Sequence, residues 1–195
     1  MSMTTANKIK KSALHLFVEK GYDGTSLTDI GDEVGIKKQS IYAHYKNKDD
    51  LFLQVMEKVI NEEISFLGDY FGKQKDKTIN NILYYFILQL KERYQSVGER
   101  NIKFLLKMMF IPPKHLEERV ISSAFNYYDS LQTYIKEAFE NYEDALEVNA
   151  EEGTISFMNF IDGLLVELIY VNVDEFEKRF SISWKIYWRG IEKQM

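Results

Sequence analysis

Apolar residues recur at spacings of three and four along most of the chain, a period that predicts helices rather than strands. Ile9, Ala13, Leu14, Phe17 and Val18 make the first stripe, over about Thr5 to Lys20. Leu27, Ile30 and Val34 make a second, shorter one. Ser26 stands before it as a cap, with Asp29 three residues on as a short variant of the capping box. Gly35 suits the left-handed position that closes a helix, and Ile36 behind it can turn inward as the contact of such a stop. A third helix follows over Lys37 to Tyr45, where Ile41 and Tyr45 lie four apart and Lys38, Gln39, Tyr42 and Ala43 share the opposite face. Asn47 then caps a long fourth helix reaching about Phe71, with Asp49 and Asp50 beside its positive end.

Gly72 to Lys77 is a polar link. The fifth helix spans about Thr78 to Val97, with Ile79, Ile82, Leu83, Phe86, Ile87 and Leu90 on one face. The sixth runs from Glu99 to Phe110 and stops at Ile111, Pro112 and Pro113, the two prolines of the chain. A seventh spans about Lys114 to Glu140. Asn141 to Asn149 is an acidic connection whose Glu143, Asp144 and Glu147 lack the spacing and central glycine of a calcium loop, so it reads as solvated surface. Asn149 with Glu152 opens an eighth helix to about Tyr170, and Asp174 with Glu177 repeats the start signal for a ninth. The expected fold is all-α with about nine helices: a three-helix helix-turn-helix domain over 1–47, then a larger helical bundle over 48–195.

Composition adds limits. The chain has 195 residues with 45% hydrophobic content, enough for a sizeable core, and no cysteine, which removes disulfides and thiolate metal sites. No stretch approaches eighteen continuous apolar residues, and the start carries no signal-like run, so a cytoplasmic protein without a membrane segment is expected. His15, His44 and His115 fall on different helices, and no zinc spacing, phosphate loop or nucleophile elbow is present. An enzyme is not expected, nor any metal or cofactor.

The net charge of −5 conceals an asymmetry. Residues 1–50 hold eight Lys or Arg against seven Asp or Glu, the remainder seventeen against twenty-three. From Gly35 to Lys48 the chain carries Lys37, Lys38, Lys46 and Lys48 and no acid. Two helices joined by a glycine-containing turn form a helix-turn-helix, and lysines set against phosphates supply sequence-independent affinity. Four lysines alone are as often plain solvated surface; the whole string separates the two readings.

Ala13, Leu14, Phe17, Gly21 and Tyr22, then Thr25, Ser26, Asp29 and Ile30, then Gly35 through Tyr45, then Lys48, Leu51 and Phe52 resemble the DNA-binding domain of TetR-type transcriptional regulators. The departures are Lys37 for the usual serine cap, Gln39 for the usual glycine and Gly31 for the usual alanine. A glutamine at the front of a recognition helix can pair bidentately with adenine, so Gln39 bears on which bases are read.

The resemblance implies a homodimeric, ligand-responsive repressor on double-stranded DNA. Its two recognition helices, about 34–36 Å apart, would read a palindromic operator. It places Lys38, Gln39, Ser40 and Ala43 on base edges, with Lys37 adding charge. It places Thr25, Ser26, Tyr42, His44 and Lys48 on phosphates; packing within the motif is the competing role for Tyr42 and His44. The bundle would enclose a small, largely apolar or aromatic effector, with Phe66, Tyr70, Phe86, Phe104, Met108 and Tyr128 as candidate lining and ordinary core packing as the alternative. The last two helices, apolar on more than one side, would form the dimer interface through Phe160, Leu164, Leu168, Phe180, Trp184 and Trp188. Competing with this are a DNA-bound structural or interaction protein of the same fold without an effector, which predicts a filled bundle, and a helical interaction module that does not touch DNA.

Overall fold

The computed structural model describes residues 4–74 and 77–193. In chain order the helices are α1 (Thr5–Lys20), α2 (Leu27–Val34), α3 (Lys38–Ile41), α4 (Lys48–Gly72), α5 (Ile79–Gln95), α6 (Asn101–Phe110), α7 (Glu117–Glu140), α8 (Ala150–Tyr170) and α9 (Val173–Ile191). Short 3-10 turns at Lys114–Leu116 and Glu143–Ala145 precede α7 and α8. No strand occurs among the described residues, as the all-helical period requires.

Several starts and stops follow the local chemistry. Ser26 and Asp29 form a reciprocal capping box, with Asp29 N–H donating to Ser26 Oγ at 3.1 Å and Ser26 N–H donating to Asp29 Oδ2 at 2.9 Å. Asn47 Oδ1 accepts from Asp50 N–H at 2.8 Å, and Asn149 and Glu152 cap α8 reciprocally. Gly35 sits at φ 79° and ψ 32°, a left-handed conformation that favours glycine. Gly31 serves a different need: a Cβ there would lie 2.7 Å from the Ile36 carbonyl oxygen, so its bareness lets the turn close on α2.

Three boundaries differ from expectation. α3 is one turn of α-helix followed by a looser turn through His44, where the His44 and Tyr45 N–H groups both donate to Ile41 O, at 2.9 and 3.0 Å. The seventh helix begins at Glu117, after the 3-10 turn that follows Pro113. α9 starts one cap earlier than Asp174 and Glu177 suggest: Asn172 Oδ1 accepts from Glu175 N–H at 2.9 Å, and Asp174 lies inside the first turn.

The chain divides into two compact units, Met1–Glu63 with Val97–Tyr127 and Ile64–Ser96 with Tyr128–Met195. The first therefore holds more than the expected 1–47 domain. α6 joins it because Phe104, shut off from solvent, closes an aromatic core: its ring centroid lies 5.5 Å from Phe52 and 6.4 Å from Phe17, and Phe52 meets Phe17 and Tyr22 at 5.1 Å each. Lys107 ties the same helix to α1 by donating to Val18 O at 2.6 Å.

In the second unit α8 packs on α9 and both meet α5. Tyr84 of α5 stacks on Phe180 at 5.0 Å and meets Trp184 edge-on at 5.6 Å, while Phe160 of α8 stacks on Tyr187 at 4.8 Å. α8 is long enough, and apolar enough on average, to cross a membrane. Its apolar run is broken by Asp162 and Glu167, and half of its most apolar stretch is buried inside the protein, the pattern of a core helix.

Candidate nucleic-acid interface

The reading surface is built by anchoring α3 from below. Ile41 is shut off from solvent, and Tyr45 is buried with its hydroxyl donating to Ala6 O of α1 at 2.9 Å. With Ile41 and Tyr45 turned inward, helical geometry sends the remaining residues outward. Lys37, Lys38, Gln39, Ser40, Tyr42, Ala43 and His44 are all exposed, Tyr42 at 50%. The Lys38 ammonium lies 6.0 Å from the Tyr42 ring centroid, and no carboxylate belongs to this ridge. It is a convex, cationic surface with one carboxamide, Gln39, near its front.

Behind the ridge, the loop from Gly21 to Thr25 is fixed by α4. Lys48 Nζ donates to Tyr22 O at 2.9 Å and to Thr25 O at 3.0 Å, and lies 3.9 Å from the Tyr22 ring centroid. The Tyr22 hydroxyl donates to Asp49 Oδ1, which His115 Nε2 also approaches at 3.4 Å. Tyr22 donation holds the Asp49 carboxyl below its usual range, and burial followed by Asp49 pushes the Tyr22 phenol up. Hydrogen bonds from Ser26 similarly lower Asp29.

Two of the ten expected DNA contacts are placed differently from the rest. Thr25 is 1% exposed and its hydroxyl donates to Gly21 O at 2.8 Å, so it holds the turn. Lys48 is half-buried with its ammonium on two carbonyls. Ser26 remains exposed while its hydroxyl serves the capping box. Sequence reasoning did not reach the supporting roles of Tyr22, Tyr45, Asp49 and Lys107, because their partners lie far along the chain and leave no local pattern.

The other candidates scatter. Of the expected effector lining, Phe104 and Met108 are buried in the first unit. Phe66, Tyr70, Phe86 and Tyr128 belong to the second, where Phe86 is shut off from solvent and the buried Tyr70 donates its hydroxyl to Ile82 O at 2.7 Å. Phe66 and Tyr128 are half-buried. Of the expected interface residues, Leu164, Leu168, Phe180, Trp184 and Trp188 are buried in the single chain, and Phe160 is half-buried. The exposed apolar residues of those helices are instead Ile155, Val166 and Tyr170 on α8 and Ile182 and Ile186 on α9.

A short outward-facing helix seated by its predecessor across a glycine turn defines a helix-turn-helix DNA-binding protein. Residues 9–55 match the family described as "Bacterial regulatory proteins, tetR family". The chain is 30% identical over 177 residues to the negative transcriptional regulator IcaR of the biofilm operon icaADBC in Staphylococcus epidermidis, covering 90% of this chain and 87% of that one. Among solved structures it resembles SmeT, repressor of a Stenotrophomonas maltophilia multidrug efflux pump, with a TM-score of 0.72 at 17% identity over 98% and 92% of the two chains. It also resembles the regulator FadR from Bacillus subtilis in complex with stearoyl-CoA, with a TM-score of 0.66 at 13% identity over 95% and 98%. The chain belongs to the tetR family and is a transcriptional regulator.

Proposed function

We propose that this protein is a homodimeric repressor that reads a palindromic operator through α3 and is released by a small molecule bound in its second unit. The observation carrying the DNA reading is the acid-free exposed ridge of Lys37, Lys38, Gln39, Ser40, Tyr42, Ala43 and His44. Lys38, Gln39, Ser40 and Ala43 face base edges. Ser26, Tyr42 and His44 meet phosphates, with Lys37 adding charge. Repression is also what the name of the Staphylococcus epidermidis relative states of that protein. Action on chromosomal DNA puts the protein in the bacterial cytoplasm.

Dimerisation is supported by the exposed apolar residues Ile155 and Val166 of α8 and Ile182 and Ile186 of α9, which a partner subunit would cover. An effector is supported by an open cleft of about 680 Å³ in the second unit, of a size that suits a small ligand.

Selection of binding sites from a randomised duplex pool at about physiological salt tests the reading. A palindrome is the expected result. Salt-sensitive retention with no enriched site would overturn sequence-specific recognition. Ile182→Lys with Ile186→Lys should yield monomers by light scattering; persistent dimers would refute the interface.

A further inference from the structure

The cleft in the second unit is lined by Phe71, Gly72 and Gln74 at the end of α4, by Ile82 of α5, and by Tyr134, Glu137 and Asn141 at the end of α7. None of these was among the residues expected to hold an effector. Phe71 and Tyr134 are half-buried and stack on one another, with centroids 5.6 Å apart and planes within 5°. A stacked pair covers its inner faces and offers the cleft ring edges and an outer face, against which a planar ring system gains more than its buried area alone.

Gln74 is the unusual member. It is 7% exposed, and its amide nitrogen donates to Tyr70 O at 2.7 Å. That bond fixes the amide orientation, because a flip would set two oxygens against each other. Gln74 Oε1 is then left buried with no hydrogen-bond partner. A desolvated acceptor without a donor is costly, and no solvent reaches this one to compensate. A ligand N–H group in the cleft would satisfy it once the side chains covering it shift.

The charge of the wall is one-sided. Glu137 is its one acidic residue, exposed to solvent, and no Lys, Arg or His is among the described lining residues. Acceptors at Gln74 and Glu137 beside an aromatic face disfavour carboxylates and favour cations. We infer that this cleft is the effector site and that its ligand class is a flat two- or three-ring aromatic cation bearing N–H donors. The inference rests on the effector reading above and gives it a place and a chemistry.

Gly72 provides the test. A Cβ built on it meets nothing within 4 Å, and its φ is not positive, so Gly72→Leu enters the cleft without strain. The probes are 9-aminoacridine, which fits the class, and acridine-9-carboxylate, an anion of similar shape. Fluorescence polarisation on the DNA-free full chain should show 9-aminoacridine binding, and acridine-9-carboxylate binding at least about tenfold more weakly. Gly72→Leu should abolish binding. Gln74→Leu and Glu137→Gln should each weaken it by about tenfold, with circular dichroism showing the same helicity as wild type. No binding of 9-aminoacridine, equal binding of the two probes, or binding unchanged in all three variants would each overturn the assignment.

The operator arm separates the two readings. Added 9-aminoacridine should release the selected duplex from wild type but not from Gly72→Leu, and intercalation into the DNA would act on both alike. Binding to the cleft without release would leave the site standing and overturn its role as effector. Release that persists undiminished in Gly72→Leu would owe nothing to the cleft, whether it came from the DNA or from another place on the protein, and would overturn the cleft's role as effector site.

Discussion

Carboxylates in the two units are perturbed in opposite senses. In the first, Asp29, Asp49 and Asp50 are all held below their usual range, because Ser26, the Tyr22 hydroxyl and the Lys46 amide respectively donate to them. In the second, burial pushes Asp162 of α8 up. The first unit uses charge to fasten short elements at defined points, while the second half-buries a carboxyl on a long helix. The difference suits their tasks. Short helices need local fastenings to hold their geometry, as the proposed reading head would require, whereas a bundle of long helices draws its stability from broad packing.

The largest test removes one ring from each unit. Phe104→Ala should cost about 3–5 kcal/mol, as should Trp184→Ala, since both side chains are buried among other rings. Hydrogen exchange should then show loss of protection in α1 and α2 for the first and in α5 and α9 for the second. If Phe104→Ala loosens α5 and α9 as much as α1 and α2, the division into two units fails as an energetic description.

Lys48→Met comes next. Losing two bonds from a charged donor should cost about 1–3 kcal/mol of stability. The salt dependence of DNA binding should stay near that of wild type, whereas Lys38→Ala should lower the slope by about 0.9 for one phosphate lost. A lowered slope in Lys48→Met, with thermal stability unchanged, would make Lys48 a phosphate contact and not a clamp.

These variants mark where sequence was enough and where it was not. Ser26 with Asp29, Gly35, Asn47, and Asn149 with Glu152 act on groups within a few residues, so spacing alone located them. Asp174 with Glu177 has the spacing of a cap, yet Asn172 is the residue that caps α9, and the spacing alone does not show this. Phe104 fits an amphipathic helix wherever that helix packs, so its periodicity is silent about which core it enters. Thr25 and Lys48 have the chemistry of phosphate ligands, and nothing local shows that carbonyls of the Gly21–Thr25 loop already hold them. Gln74 is the extreme case, because an unpaired acceptor is a property of its surroundings alone.

Gln39→Ala probes the reading ridge without touching either core. Gln39 is exposed, so stability should change by less than about 0.5 kcal/mol. Discrimination at one base position should fall by about 1–3 kcal/mol while the salt slope holds. Uniform weakening across all sequences would make Gln39 a backbone contact.

The smallest effect returns to the carboxylates. Where a folded-state pKa is lowered, as for Asp49, the stability it contributes is present above the ordinary value of about 3.9 and is lost as pH falls through the folded value. Where it is raised, as for Asp162, the ionised group costs stability above the raised value, and that cost is relieved as pH falls. Asp162→Asn should therefore raise Tm at pH 7 by about 1–3 °C, with the gap closing toward pH 4 as wild type takes up its proton. Asp49→Asn should behave oppositely, lowering Tm at pH 7 and converging on wild type only in stronger acid. A gap for Asp162→Asn that does not change with pH would mean that packing around the side chain, and not desolvation of its charge, sets the difference between the two units.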